Sequence, residues 1–233
     1  HDRATSMKAE LHKPIIIGVT GGMASGKSSI ARMLAGRGIA HVDADKLVHQ
    51  LMNHDAGAIA AIGAAFPDSV TPSHDGVRAS KHGYDTTVRG CRHKDGMTIN
   101  RTKLATHIIQ HPESLATLEA ILHPRVRALE EGAIAFARRN RLRALVLDIP
   151  LLFETDADRL CDVVLVAHAP MRHRRARAFA RAGMTEAKWN RLLDRQLPEH
   201  VRNALADVVI PTAIGKAATR RRVQALMSEW GLL

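Results

Sequence analysis

The chain has 233 residues, 45% of them hydrophobic and 24% charged, and its basic excess sets a formal net charge of +11. That length can bury one sizeable core with inserted sub-domains, and no apolar run is long enough to cross a bilayer as a helix, so a membrane partner is not expected. The charge suits a polyanion, while aromatics at only 3% leave few stacking platforms for single-stranded nucleic acid, so phosphates rather than bases are the expected targets.

Residues 1–6 carry no apolar stretch and are expected to be a cloning remnant ahead of a native start at Met7. From there, 7–233 reads as a single domain. Ile15 to Thr20 predicts a buried strand and Gly21 to Gly26 a loop. From Ser28 onward, Ile30, Met33 and Leu34 share a helix face that Gly36 and Gly38 are expected to end. Ile39 to Val42 predicts a second strand closed by Asp43-Ala44-Asp45, and Lys46 to Ala65 an interrupted helix.

Between Thr71 and Gly96 the periodicity fails amid turn formers and basic groups, so a mobile or ligand-stabilised loop is expected there. Arg101 to Leu122 predicts a helix, His123-Pro124 an interruption, and Val126 to Ala137 a further helix. Ala144 to Ile149, Val163 to Val166 and Val208 to Ile210 read as three more buried strands, and Lys216 to Trp230 as an amphipathic helix. Apolar strands alternating with helices predict an α/β fold with a five-stranded parallel sheet covered on both faces. Cys91 and Cys161 stand far apart and are expected to be free thiols in a reducing compartment, the cytoplasm. The histidines are scattered without ligand spacing, so no zinc site is expected.

Gly21-x-x-x-x-Gly26-Lys27-Ser28 fits the Walker A pattern, and it follows a strand and opens a helix, as its mechanism requires. Gly22, Met23, Ala24, Ser25, Gly26, Lys27, Ser28 and Ser29 are the candidate nucleotide-binding residues. Backbone N–H groups there can turn around phosphate oxygens, and the helix N-terminus adds its dipole. Lys27 would reach the β- and γ-phosphates of ATP, and the Ser28 hydroxyl would ligate Mg²⁺.

No apolar run ends in Asp-Glu, and no Asn-Lys-x-Asp is present for guanine. Asp45 instead sits at the carboxyl edge of the sheet, where a carboxylate can take the proton of an attacking hydroxyl, or can simply cap the next helix. In the basic segment Met171 to Gly183, Arg174, Arg177 and Arg181 share one helical face and Arg175 does not. Such arginines can close over a nucleotide, or form a solvated basic face.

Taken in series, T-G-G-M-A-S-G-K-S, H-V-D-A-D-K-L-V-H, I-N-R-T-K-L, L-E-A-I-L-H-P, L-D-I-P-L-L-F-E, the arginine segment and R-Q-L-P with A-D-V-V-I resemble the bacterial dephospho-CoA kinase family. The resemblance implies a P-loop kinase of the nucleoside-monophosphate-kinase type. It would transfer the ATP γ-phosphate to the ribose 3′-hydroxyl of 3′-dephospho-CoA, with Mg²⁺, in the last step of coenzyme A synthesis. It implies a helical acceptor-binding sub-domain over 46–140, a lid over 171–200, and a monomer or weak homo-oligomer without a nucleic-acid partner.

By the same resemblance Asp45 is the general base, Arg101, His123, Pro124 and Leu151 contact the acceptor, and Arg177 and Arg181 are lid arginines on the nucleotide. Asp148 is a candidate for a water-mediated Mg²⁺ contact or a structural carboxylate. Glu154 positions acceptor or lid or makes a structural salt bridge, and Gln196 orders the lid. Two departures stand out. Thr71 to His93 looks inserted, and Pro211 occupies a position where the family usually has a polar residue beside adenine. A kinase for another acceptor, and a nucleic-acid-stimulated ATPase suggested by the charge, are the alternatives.

Overall fold

The computed structural model describes residues 13–36, 39–72 and 97–233. The chain divides into two units, His1–Asp45 with Glu130–Leu233, and Lys46–Leu129.

The first unit is built on a five-stranded parallel sheet of β1 (Ile15–Gly21), β2 (Ile39–Asp43), β5 (Ala144–Asp148), β6 (Val163–His168) and β7 (Val208–Pro211). Their order is β2-β5-β1-β6-β7. Because β1 is central, its apolar run is covered on both faces, and every residue from Ile16 to Gly21 is buried. Register brings Asp43 of β2 level with Asp148 of β5, and Val19 of β1 level with Asp148 from the other side. Two carboxylates thus end neighbouring strands where β1 turns into the glycine loop.

One face of the sheet packs on α1 (Lys27–Leu34) and α9 (Lys216–Glu229). Ile30, Ala31 and Leu34 of α1 meet Val223 and Met227 of α9 in a core with Ile17, Val19 and Leu165. The other face buries Leu145, Leu147, Leu152 and Val164 with Ile134 and Ala137. Each fully buried Leu or Ile contributes about 1.5–3 kcal/mol, which makes the sheet a rigid platform for the loops at its carboxyl edge. Pro211 is tolerated in β7 because that strand lies at the sheet edge, where one row of N–H groups needs no partner.

After β6 come three short helices, α6 (Met171–Phe179), α7 (Glu186–Asp194) and α8 (Glu199–Ala204). Phe179 and the buried Trp189 pack with ring centroids 6.0 Å apart, and Arg175 pairs with Glu186, so α6 and α7 are tied as a hairpin. Arg175 also stacks on the Phe179 ring.

In the second unit α2 (Ala44–His54), which starts at the end of the first, is followed by α3 (Ala56–Ala65). Asp55 separates them and caps α3, its Oδ1 accepting from Ala58 N at 2.6 Å. The short strands β3 (Val70–Pro72) and β4 (Met97–Ile99) pair antiparallel. Then come α4 (Arg101–Gln110) and α5 (Ser114–Arg139), the latter running on into the first unit. Leu51, Ala58, Ile62, Phe66, Leu104 and Leu122 form this unit's own core.

Three expectations need correction. Thr71 and Pro72 are strand, not loop; Gly38 and the rest of the stretch read as an insertion fall outside the described residues. The helix expected over Arg101 to Leu122 is two helices. His111 precedes Pro112 and leaves the helical region, at φ −127 and ψ 76, because the proline ring disfavours helix before it. His123-Pro124 does not interrupt, since α5 runs through Pro124. A proline removes one helical hydrogen bond and opens the carbonyls of the preceding turn. Arg125 Nη1 donates to one carbonyl of that turn, Ile121 O, at 2.7 Å.

Candidate active site

Three constraints shape the loop between β1 and α1. Gly21 leaves β1 at φ 155, Ala24 is left-handed at φ 59, and Gly26 enters α1 at φ 98. At Gly21 a side chain would stand 2.6 Å from the Ala167 carbonyl, so only glycine fits. Ser25 N closes the turn on Gly22 O at 2.9 Å. Gly26 offers α1 no side-chain cap, which leaves the helix N-terminus facing the loop.

This loop forms one wall of a cleft of about 630 Å³. Gly22, Met23, Ala24, Ser25, Gly26, Lys27, Ser28 and Ser29 all line it, as do Asp45, Leu151 and Arg181. Five cationic side chains, Lys27, Arg32, Arg181, Lys188 and Arg195, line it together with one carboxylate, Asp45. Sequence reasoning missed Arg32, Lys188 and Arg195 as site residues. Lys188, Leu192 and Arg195 follow i, i+4, i+7 spacing and share a helix face, a signal that was available.

Lys27 donates to Asp148 Oδ1, and His41 Nε2 stands 3.8 Å from the other oxygen. Burial works to raise the Asp148 carboxyl, but His41 and Lys27 together hold it below the ordinary carboxylate range. Its Oδ2 is buried without a hydrogen-bond partner. Asp45 lies within the first turn of α2, one residue past the helix start, so it is not the residue capping that helix. Loss of solvent raises its carboxyl above the usual range; Lys27 opposes the shift, and Asp43 and Asp148 add to it. Asp45 is nonetheless exposed at the surface of the cleft, so water screens these charges and the upward shift is small.

Arg177 is turned onto the back of the loop. Its Nη1 donates to Ala24 O and Ser25 O, each at 3.4 Å, and to Thr212 Oγ1 at 3.2 Å, while Nη2 donates to Thr212 O at 2.8 Å. Thr212, the residue after Pro211, also donates to Ser25 O. Glu154 Oε1 accepts from Leu197 N at 2.8 Å, and Gln196 Oε1 accepts from Met23 N at 3.0 Å.

In the second unit Arg101 donates through Nη1 to His49 Nε2, and through Nη2 to His49 O at 3.2 Å and Asn53 Oδ1 at 2.9 Å. His123 and Pro124 are exposed on α5.

A phosphate loop beside a carboxylate in one cleft invites comparison with known proteins. Residues 15–79 and 90–215 match the family model described as dephospho-CoA kinase. The chain belongs to the dephospho-CoA kinase family. It is an ATP-dependent phosphotransferase of the family that carries out the final step of coenzyme A biosynthesis. The dephospho-CoA kinase of Rhodospirillum rubrum is 37% identical over 211 residues, 91% of this chain and 89% of that protein. That of Gluconobacter oxydans is 37% identical over 218 residues, 91% of this chain and 96% of that protein. Among solved structures, TT1252 from Thermus thermophilus superposes with a TM-score of 0.68 at 28% identity, covering 93% of this chain and 97% of that one. The dephospho-CoA kinase from Campylobacter jejuni shares the fold, with a TM-score of 0.58 at 20% identity over 94% and 98% of the two chains. The family match passes over residues 80–89, within the stretch the sequence reading took as inserted.

Proposed function

We propose that this chain moves the γ-phosphate of ATP to the ribose 3′-hydroxyl of 3′-dephospho-CoA, giving CoA and ADP, with Asp45 as the general base. The observation that carries the proposal is the juxtaposition of a phosphate loop and the Asp45 carboxylate in the wall of one cationic cleft. A carboxyl raised above its usual range is a better proton acceptor than an ordinary aspartate.

In this reading the backbone from Gly22 to Ser29 cradles the β- and γ-phosphates. Lys27 turns from Asp148 to the transferring group, and Arg181 stabilises charge on the equatorial oxygens. Arg177 supports the loop from behind in the present state and is the second lid arginine. Leu151 lines the cleft beside the reacting hydroxyl, and Glu154 holds the lid through Leu197.

The oxygen donors here suit Mg²⁺. Ser28 lines the cleft, and Asp148 has a buried oxygen without a hydrogen-bond partner. Ser28 would hold the ion directly and Asp148 through water; when bound, it neutralises charge on the phosphate oxygens. Arg101, His123 and Pro124 are proposed acceptor contacts, with Arg101 pre-oriented by His49 and Asn53.

The test is an ATP-consumption assay with dephospho-CoA, the product checked by mass for one added phosphate. Formation of CoA supports the proposal. ATP left intact, or phosphate delivered only to a different acceptor, would sink it.

A further inference from the structure

The phosphate loop is gripped by side chains of the segment that follows β6, Arg174 from outside the cleft and Gln196 from within its wall. Met23 is held at both ends: its carbonyl accepts from Arg174 Nε at 3.0 Å, and its N–H donates to Gln196 Oε1 at 3.0 Å. The Arg174 side chain is 3% exposed, and its guanidinium fills the space a side chain at Gly22 would need, 2.4 Å from the position of the missing Cβ. Glu199 braces Arg174 by accepting from Nη1 at 3.1 Å, and its other oxygen stands 3.1 Å from His168 Nδ1 at the end of β6. Gln196 is braced through its neighbour, since Leu197 N donates to Glu154.

We infer that Arg174 and Gln196 are positioning residues for the polyphosphate, a two-sided clamp on Met23 that sets which loop amides face the cleft. The inference rests on the reading of this loop as the ATP site. In a trans peptide the carbonyl and the following N–H point in opposite directions. Arg174 draws Met23 O outward, so Ala24 N–H points to the other side, toward the cleft. Arg177 draws Ser25 O outward, which turns Gly26 N–H the same way. Met23 N–H is committed to Gln196 and is withdrawn from the cradle. The left-handed Ala24, at φ 59, is an unfavourable conformation for a residue with a Cβ. The clamp holds it before the nucleotide arrives. A preformed cradle spares the ligand the cost of ordering it, so the effect belongs to nucleotide affinity more than to the chemical step.

The test combines variants with amide exchange. Gln196→Met and Arg174→Met are each expected to raise the Kd of ADP, measured by calorimetry, and the KM of ATP about tenfold, the equivalent of one lost hydrogen bond. The KM of the acceptor should stay within about twofold in both. The double variant should cost less than the product of the two, because both act on the same peptide. In the unaltered protein, ¹⁵N amide exchange should find the Met23 N–H protected both with and without ADP. That last measurement holds the inference to account if a variant fails to fold. Unaltered protein that binds ADP, with both variants binding it equally well, would overturn the clamp alone. So would a Met23 amide that gains protection only with ADP. Unaltered protein that does not bind ADP would overturn the reading of the loop as a nucleotide site and the clamp with it.

Discussion

Lys27 of the phosphate loop donates a hydrogen bond to Asp148, whose side chain is 1% exposed at the end of β5. On the proposed reading, the lysine meant for the transferring phosphate is held on a buried carboxylate in this state. That arrangement keeps both charges compensated, because a lone ionised group at this depth would cost several kcal/mol. Asp148 keeps its carboxyl below the ordinary range against the opposing effect of burial.

Replacing Lys27 by Ala should therefore have two effects. Turnover should fall at least about a hundredfold, since a cation facing the developing charge is lost. The nucleotide-free protein should also unfold more readily in acid. A carboxyl held low in the fold contributes stability that is present above its unfolded pKa, about 3.9, and disappears as pH falls through the folded value. Without Lys27 that folded value rises, so acid unfolding followed by circular dichroism should begin at a higher pH than in the parent. Coincident acid transitions would show that Lys27 does not hold Asp148 down.

Asp45 carries the opposite shift, and the sign of its effect reverses with it. A carboxyl raised in the fold is a charge that the folded state tolerates poorly at neutral pH. Asp45→Asn should lose at least about a hundredfold in turnover and at the same time unfold at a slightly higher temperature. The acid limb of kcat/KM in the parent should lie above the ordinary aspartate range. Turnover close to the parent's in Asp45→Asn would remove Asp45 from the base role.

Gly21→Ala tests the loop geometry itself. The new Cβ would stand 2.6 Å from the Ala167 carbonyl in β6 and 2.5 Å from Ser25 Oγ, and the backbone at φ 155 disfavours a side chain. Because the first obstacle is backbone, the loop or β6 must move. A loss of about 2 kcal/mol or more in urea denaturation is expected, with ATP affinity lost in parallel. A variant as stable as the parent would show that β1 and β6 can part at this point without cost.

Arg101 is fixed by His49 and Asn53 within the second unit. If it grips the acceptor, Arg101→Ala should raise the KM of dephospho-CoA about tenfold or more while the KM of ATP stays close to the parent's. Equal changes in both constants would mean that Arg101 merely steadies α2 against α4.

Much of this protein is written in short local patterns. Ile15 to Thr20 reads as a strand because a central parallel strand must be apolar on both faces. Gly21 to Ser28 reads as a phosphate loop because few residue types tolerate the backbone that such a loop requires. Asp45 was legible for a similar reason, since a carboxylate just past a strand end lies where α/β proteins bind their ligands. The helix break before Pro112 could have been read from the effect of the proline ring on His111. The continuity of α5 through Pro124 could not, because a proline inside a helix is ordinarily read as a break.

What lies beyond neighbouring residues needed the tertiary structure. Arg174, Arg177 and Arg181 share a helical spacing in the sequence, yet their surroundings separate them. Arg174 is buried on Met23 and Glu199, Arg177 is tied to Thr212 behind the loop, and Arg181 stands in the cleft. Gln196 meets Met23 across 173 positions of chain, and Lys27 meets Asp148 across 121. Periodicity records which face of an element is apolar. It carries no record of which distant polar group the folded chain brings opposite, and here that decides which charges are paired, which brace the loop and which stand in the cleft.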